Sequence, residues 1–247
     1  MKCRVMGIVN VTPDSFSDGG LYYRPEEAIR RVRNMVEEGA DIIDLGGEST
    51  RPGATPIGWE EEWQRLEPVL NKLFSGSVPK AAGGSVPISV DTYHPETAER
   101  AVAAGAKIIN CVFAEPVPAM FDICAKSGAE LVIPATSLGS VPNETGSVPI
   151  YLDPMIGFGT TREEDLEILQ TIPELAKKGR VLIGASRKRI VKRLTGEKVP
   201  GKDLAGNLTI ALWAAMNGAS VVRVHDVRET VQALKVLAAL KGEALPE

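Results

Sequence analysis

The segment EGADIIDL, residues 38–45, carries the pattern that decides the fold: a helix end, a Gly-Ala pair and a short, mostly apolar run. Glycine tolerates the left-handed conformation that often closes a helix. A run that does not alternate with polar residues is typical of a strand buried on both faces of a parallel sheet. The plan returns at residues 104–110, 127–133 and 217–224, with a variant at 177–186. These repeats predict βα units and a parallel sheet.

Eight strands follow from these segments and from the other short apolar runs. They are predicted at residues 4–10, 41–46, 88–91, 107–110, 130–134, 150–153, 181–184 and 220–224. Helices are predicted between them at residues 25–38, 59–74, 95–104, 119–127, 162–178, 202–217 and 227–241. This alternation predicts an α/β fold, a (β/α)8 TIM barrel that forms a single domain over residues 1–247. An open doubly wound sheet is the alternative.

A repeated Gly-Ser-Val-Pro motif disturbs the alternation. It occurs in two pairs, at residues 76–79 and 84–87 and again at 139–142 and 146–149. Gly, Ser and Pro disfavour helices, and the second pair lies between the fifth and sixth strands, where a barrel needs a helix. Residues 136–149 could extend to roughly 45 Å at about 3.3 Å per residue, enough to run the height of a barrel. We therefore predict a barrel that lacks the helix between strands five and six.

Composition and charge exclude several classes of protein. The chain is 44% apolar and 24% charged, as in an average globular protein, and its net charge of −4 gives no general affinity for nucleic acid. No apolar run approaches the roughly 20 residues that span a bilayer, and the N-terminus lacks the apolar core of a signal peptide. The three cysteines, Cys3, Cys111 and Cys124, lack the spacing of a metal site. The chain has only two histidines, His94 and His225, that could serve as further zinc ligands. We expect a reducing, cytoplasmic setting, no zinc, no membrane and no nucleic-acid partner.

The first strand delivers an unusually long polar loop. The sequence GIVNVTPDSFSDGG, residues 7–20, turns polar at Asn10, and no helix is predicted before residue 25. Ordinary strand–helix connections have about 2–6 residues. A long loop at the C-terminal end of a strand is where α/β barrels place their chemistry, so we expect this loop to be functional.

Polar residues also end most of the other strands. Asp91, Asn110 and Asp153 end strands three, four and six. In a barrel these ends converge on one mouth, where carboxylates beside an amide suit a flat heterocycle with several N–H donors. Taken singly, each residue could instead be a helix cap or a salt-bridge partner.

Basic residues follow strands two, seven and eight. They are Arg51, Arg187, Lys188, Arg189, Arg223 and His225. Loops seven and eight of such barrels frequently bind phosphate, and guanidinium groups bind it in a bidentate manner. The mouth is therefore predicted to hold an acidic ring pocket beside a basic anion site. The alternatives are a solvated helix start for the Arg-Lys-Arg run and a structural role for His225.

Seven motifs together resemble the dihydropteroate synthase family over nearly the whole chain. In chain order they are GIVNVTPDSFSDGG, DLGGESTRPGA, ISVDT, IIN, LDPMIGFG, IGASRKR and RVHDV. The resemblance implies a (β/α)8 barrel, a homodimer and a Mg²⁺ cofactor. It also implies a transferase of folate biosynthesis, which condenses 6-hydroxymethyl-7,8-dihydropterin pyrophosphate with p-aminobenzoate and releases pyrophosphate.

The resemblance also implies a role for individual residues. The catalytic residues would be Asp91, Lys188 and Arg223. The pterin ring would be bound by Asp91, Asn110, Asp153, Phe158 and Lys188. Pyrophosphate would be bound by Asn10, Arg223 and His225, with Asn10 also a ligand of Mg²⁺. The p-aminobenzoate would be bound by Thr50, Arg51 and Ser186. A mobile lid would include Pro13, Asp14 and Phe16.

The chain departs from the family pattern on strands four to six. Cys111 stands where the family has Asp, and after strand five a Met-His-Met-type segment is replaced by IPAT, residues 133–136. Met155 stands for a Gly and Thr160 for a Lys. These changes could alter pterin contacts or only their support.

Other functions fit the same residues. A methyltetrahydrofolate-type methyltransferase would use the Asp–Asn–Asp set, although it would not need the first loop or the SRK and RVHD segments. A non-catalytic pterin-binding protein or an engineered chain would also keep the pocket. Pyrophosphate release that depends on both substrates separates these alternatives.

Overall fold

The computed structural model describes residues 3–12, 25–50, 54–77, 85–142, 148–199 and 201–242. Its strands are β1 (Arg4–Asn10), β2 (Ile42–Gly46), β3 (Ile88–Asp91), β4 (Ile108–Asn110), β5 (Glu130–Pro134), β6 (Ile150–Asp153), β7 (Arg180–Ile183) and β8 (Val221–Val224). Every neighbouring pair is parallel, and β8 pairs with β1. The predicted (β/α)8 barrel is confirmed, and the open sheet is excluded.

Helices cover the outside of the barrel. They are α1 (Pro25–Glu37), α2 (Trp59–Lys72), α3 (Pro95–Ala104), α4 (Val117–Ser127), α5 (Arg162–Gln170), α6 (Ile172–Ala176), α7 (Arg189–Thr195), α8 (Leu204–Met216) and α9 (Val227–Leu240). The single helix predicted at residues 162–178 is wrong, because the helix is interrupted at Thr171 and continues as α6. Pro173 follows the interruption and has no N–H for a helical hydrogen bond. Helix α7 was not predicted, because its seven residues are too few to show a clear period.

The connection from β5 to β6 contains one helical element in its described part. This is a 3-10 helix, Ala135–Ser140, where an α-helix would stand in a regular barrel. Val141 and Val148 are buried in the core cluster that lies between the sheet and the helices. The connection therefore covers the barrel wall with two valines in place of a helix face.

Alternation along the strands sorts side chains between two environments. A layer inside the barrel consists of Met6, Ile42, Ile108, Val132, Tyr151, Leu182 and Val221. Residues one position away, such as Ile43 and Ile109, pack outward against the helices. Because successive side chains on a strand point to opposite faces, residues two positions after the interior layer also point inward. Asp44, Asn110, Asp153 and Arg223 are such residues, so they lie above an apolar floor.

The opposite end of the barrel carries a separate polar cluster. The Tyr151 hydroxyl donates to Glu130 at 2.7 Å and accepts from Arg4 and from Arg180. Both guanidinium groups also lie within 6 Å of the Tyr151 ring centre, and Arg4 pairs with Glu130 at 3.7 Å. We call these four residues the lower cluster.

Candidate active site

Four strands bring one arginine and three acceptor side chains together at the mouth. Arg223 of β8 donates from Nε to Asp44 Oδ2 and from Nη2 to Asp91 Oδ2, each at 2.6 Å. Asn110 of β4 donates to Asp44 Oδ2 at 3.2 Å. All four side chains are buried or nearly so. We call Asp44, Asp91, Asn110 and Arg223 the mouth cluster.

The mouth cluster has spare acceptors. Oδ1 of Asp44, of Asp91 and of Asn110 is buried and has no hydrogen-bond partner among the described residues. Buried polar atoms in folded proteins are normally paired, because an unpaired one costs about 1–3 kcal/mol. These three unpaired oxygens lie on neighbouring strands and can accept hydrogen bonds from one ligand.

The charges of the cluster perturb one another. Burial raises the pKa of Asp91 to about 7, while Arg223 opposes the rise and Asp44 adds to it. Burial alone would lower the pKa of Arg223, but Asp44 and Asp91 more than offset this and raise it. The guanidinium is thus a permanent cation, whereas the charge of Asp91 responds to pH near neutrality.

A lysine and an aromatic ring stand beside this cluster. Lys188 Nζ donates to the Ile156 carbonyl at 2.6 Å and lies 4.5 Å from the centre of the Phe158 ring. Burial raises the pKa of Asp153, and the Lys188 charge opposes that rise. In turn, burial lowers the pKa of Lys188 to about 8 against the pull of Asp153. The predicted residues Asp91, Asn110, Asp153, Phe158 and Lys188 therefore occupy one side of the mouth.

The predicted anion side is formed by β7, β8 and β1. Ser186 Oγ lies 3.1 Å from His225 Nδ1 and accepts the His225 backbone N–H at 3.2 Å. Asn10 ends β1 in register with Gly46, and a β-carbon added to Gly46 would lie 4.0 Å from Asn10 Oδ1 and 3.7 Å from Asp91 Cβ. Asn10 therefore borders the mouth beside Asp91.

Some predicted residues cannot be located. Pro13, Asp14, Phe16 and Arg51 lie outside the described residues. Thr50 is described, at the last position before such a gap, and is partly buried. The predicted lid and the predicted contact of Arg51 with p-aminobenzoate therefore stay predictions.

The departures from the family pattern leave the mouth cluster in place. Cys111 follows Asn110 on the chain and so points outward, where it belongs to the core cluster and its Sγ lies 3.2 Å from the Phe113 carbonyl. Burial raises the pKa of its thiol to about 11, so it stays uncharged. Met155 adopts φ 65, a conformation that glycine takes without strain, and its N–H donates to Asp153 Oδ1 at 2.7 Å. The changes at Cys111 and Met155 thus affect the support of the site.

The sequence analysis missed Asp44, the residue that joins Arg223 to Asn110. Its signal was a lone carboxylate inside an apolar strand, at the inward parity shared with Ile42 and Gly46. It gave no role to Glu48, whose buried carboxylate accepts from Tyr93 Oη at 2.5 Å and from the Ile57 N–H at 3.1 Å. His94 Nε2 lies 3.1 Å from the same carboxylate. Glu48 therefore ties the loop after β2 to the loop after β3.

The sequence and the structure are similar to known proteins. A family model described as "Pterin binding enzyme" matches residues 6–148 and 143–225. A dihydropteroate synthase of Staphylococcus haemolyticus is 37% identical, over 97% of this chain and 96% of the relative. A Xanthomonas albilineans dihydropteroate synthase with 4-aminobenzoic acid superposes with a TM-score of 0.87 at 39% identity, over 99% of this chain and 95% of that one.

A second X. albilineans structure, in complex with 7,8-dihydropteroate, has a TM-score of 0.82 at 36% identity and the same coverage.

In the part of the chain that the structure describes, no helix is long and apolar enough to cross a membrane. Within the same residues, no three His, Cys, Asp or Glu side chains converge to hold a metal ion.

Proposed function

The chain belongs to the dihydropteroate synthase family of pterin-binding enzymes, and we propose how its own residues divide the reaction between them. The reaction is the transfer of a dihydropterin methylene group from pyrophosphate to p-aminobenzoate, a step of folate biosynthesis. The alternatives of a methyltransferase and of a non-catalytic pterin binder are not retained, because the full-length relatives are synthases.

The mouth cluster with Asp153 and Lys188 would bind the pterin. A pterin presents ring N–H and amino donors, and the unpaired oxygens of Asp91 and Asn110 are acceptors for them. When the C–O bond to pyrophosphate breaks, positive charge spreads from the methylene carbon into the ring. Ionised Asp91 and Asp153 would stabilise that charge in a site where few water molecules screen it.

The departing pyrophosphate would meet Arg223, His225 and Asn10. Two of the five N–H groups of Arg223 donate to carboxylates, and the group as a whole supplies a fixed positive charge. Mg²⁺ would be held by the amide oxygen of Asn10 at the mouth together with oxygens of the substrate phosphates, which are usual ligands of this ion. When bound, the ion neutralises charge on the leaving group.

The p-aminobenzoate would approach from the side of Thr50, Arg51 and Ser186. Its aromatic amine is already a nucleophile, so the site needs to position it and does not need a strong base. Pro13, Asp14 and Phe16 would belong to the lid that excludes water, because water would otherwise capture the electrophilic methylene carbon.

The observation that carries these assignments is the mouth cluster, a buried arginine held by two carboxylates beside three unpaired acceptors. The test is pyrophosphate release measured with both substrates, with each alone and with Mg²⁺ removed by a chelator. We expect release only when both substrates and Mg²⁺ are present. Release without p-aminobenzoate at the full rate would contradict the proposed transfer, and release unaffected by the chelator would contradict the role of Mg²⁺.

We also propose that residues 1–247 act as one catalytic domain in the cytoplasm and associate as a homodimer through α8. Of the residues Ile210, Leu212, Trp213 and Met216, Ile210 is buried against the barrel, whereas Trp213 and Met216 are 46% and 60% exposed. The cytoplasmic setting agrees with three cysteines that are all free. Met216→Glu should shift the mass in analytical ultracentrifugation from dimer to monomer; an unchanged mass would exclude this interface.

A further inference from the structure

The loop between β6 and α5 has an unusual backbone. Three of its residues take positive φ: Met155 at 65°, Gly157 at 78° and Gly159 at 77°. For an L-residue such as Met155 this conformation is strained, and the two glycines lose much chain entropy when they are fixed. A loop of this kind keeps one conformation only if contacts outside its own backbone hold it.

A buried carboxylate of α5 supplies those contacts. Asp165 is 1% exposed, and its Oδ1 accepts the Gly157 N–H at 2.8 Å and the Thr160 hydroxyl at 2.6 Å. The Thr160 oxygen also accepts from the Gly157 N–H at 3.0 Å. The hydroxyl therefore donates and accepts at once. A lysine, which the family resemblance implies at this position, has donors only and could not accept the Gly157 N–H.

The loop held in this way surrounds Lys188. The Ile156 carbonyl accepts its ammonium at 2.6 Å, and the Phe158 ring lies under the same nitrogen. The backbone at Gly157 is so close that an added β-carbon would lie 3.1 Å from Lys188 Cδ. Three consecutive loop residues thus fix the stem, the charge and the direction of this side chain.

We propose that Thr160 and Asp165 are positioning residues for Lys188, acting through the backbone of residues 156–158. This inference rests on the proposed role of Lys188 at the pterin. Neither residue needs to touch the substrate. Without the Thr160 hydroxyl, the loop keeps only the Gly157 N–H bond to Asp165 and loses the two bonds that Thr160 makes, and the Lys188 ammonium samples positions in which it does not meet the pterin.

The experiment compares matched threonine variants in the full-length protein. Thr160→Val keeps the shape and removes the hydroxyl, whereas Thr160→Ser keeps the hydroxyl. Thr171→Val is the control, since Thr171 lies at the other end of α5 and its hydroxyl donates to the Ile168 carbonyl. Lys188→Met gives the effect of removing the positioned group itself. The measurements are KM for dihydropterin pyrophosphate, KM for p-aminobenzoate and the melting temperature.

We expect Thr160→Val to raise KM for dihydropterin pyrophosphate about tenfold, the order of effect of one buried hydrogen bond. KM for p-aminobenzoate should not change, Thr160→Ser should restore the wild-type value, and Thr171→Val should have no effect. A Thr160→Val variant with the wild-type pterin KM, beside an impaired Lys188→Met variant, would overturn the inference.

Two further outcomes are informative. If Lys188→Met itself leaves the pterin KM unchanged, the proposed role of Lys188 fails and the inference fails with it. If Thr160→Val raises both KM values together and lowers the melting temperature, the network is merely structural. Should Thr160→Val not fold, Asp165→Asn, which keeps size and an acceptor but lacks the charge, must raise the pterin KM alone for the inference to stand.

Discussion

The two ends of the barrel both place arginines beside carboxylates, yet they differ in how their hydrogen bonds are used. In the lower cluster the Tyr151 hydroxyl has three partners, and its two arginines also contact the ring. In the mouth cluster three buried oxygens have no partner among the described residues. A saturated cluster stabilises the closed barrel, whereas an unsaturated one can gain hydrogen bonds only from a ligand or from water. Charge alone therefore does not distinguish the two clusters, whereas unused hydrogen-bonding capacity does.

Neutralising a carboxylate of the mouth cluster should have the largest effect on activity. Asp91→Asn keeps the shape but removes the charge that would stabilise the pterin cation, so turnover should fall roughly a thousandfold. Binding of pyrophosphate, measured by calorimetry, should weaken much less. The control is Asp122→Asn, an exposed carboxylate on α4. Equal losses of turnover and of pyrophosphate affinity would argue against the division of the mouth into two sides.

The pH dependence of kcat/KM is a second test of the mouth cluster and of Lys188 beside it. Burial raises the pKa of Asp91 to about 7 and lowers that of Lys188 to about 8. Asp91 is protonated below the first value and Lys188 is neutral above the second. If both must be charged, kcat/KM for dihydropterin pyrophosphate should fall about tenfold per pH unit on either side of this narrow window.

The same pH profile separates the two groups. The residual activity of Asp91→Asn should lack the acid limb, and that of Lys188→Arg should lack the alkaline one. A wild-type profile that is flat from pH 6 to pH 9, about one pH unit beyond each of these two pKa values, would show that neither charge affects kcat/KM.

The lower cluster should respond in the opposite way. Tyr151→Phe removes one hydroxyl and leaves Arg4, Arg180 and Glu130 without their shared partner, so the free energy of unfolding should fall by about 1–3 kcal/mol. Because the site is at the other end of the barrel, kcat/KM should not change. For comparison, Glu174→Gln breaks the exposed Lys177–Glu174 pair and should cost at most about 0.5 kcal/mol. Urea titration measures both, and a loss of activity in folded Tyr151→Phe would remove the distinction between the two ends.

Much of the fold could be predicted because each βα repeat is determined by residues that are adjacent in the sequence. Gly39 and Gly218, taken from the Gly-Ala pairs, both adopt φ 98, and the apolar runs after them are strands β2 and β8. That the described part of the β5–β6 connection contains no α-helix could also be foreseen, since Gly-Ser-Val-Pro disfavours one, but the 3-10 helix at Ala135–Ser140 could not. What could not be foreseen is that its valines would fill the core, because that depends on which side of the barrel the connection takes.

The residues of the candidate site could largely be predicted, but the hydrogen bonds and ion pairs that connect them could not. Strand ends identified Asp91, Asn110, Asp153 and Arg223, but the pairing of Arg223 with Asp44 joins residues 179 positions apart. Only the closed register of eight strands brings such residues together. The support from Thr160 and Asp165 likewise depends on loop backbone angles that no local pattern reveals.

One comparison tests the central claim most directly: pyrophosphate release that depends on both substrates, measured side by side for wild type, Asp91→Asn and Tyr151→Phe at a temperature where all three are folded. Asp91→Asn should be nearly inactive with a melting temperature close to wild type, and Tyr151→Phe should be fully active with a lowered one. An active Asp91→Asn, or a folded but inactive Tyr151→Phe, would contradict the assignment of chemistry to the mouth and stability to the lower cluster.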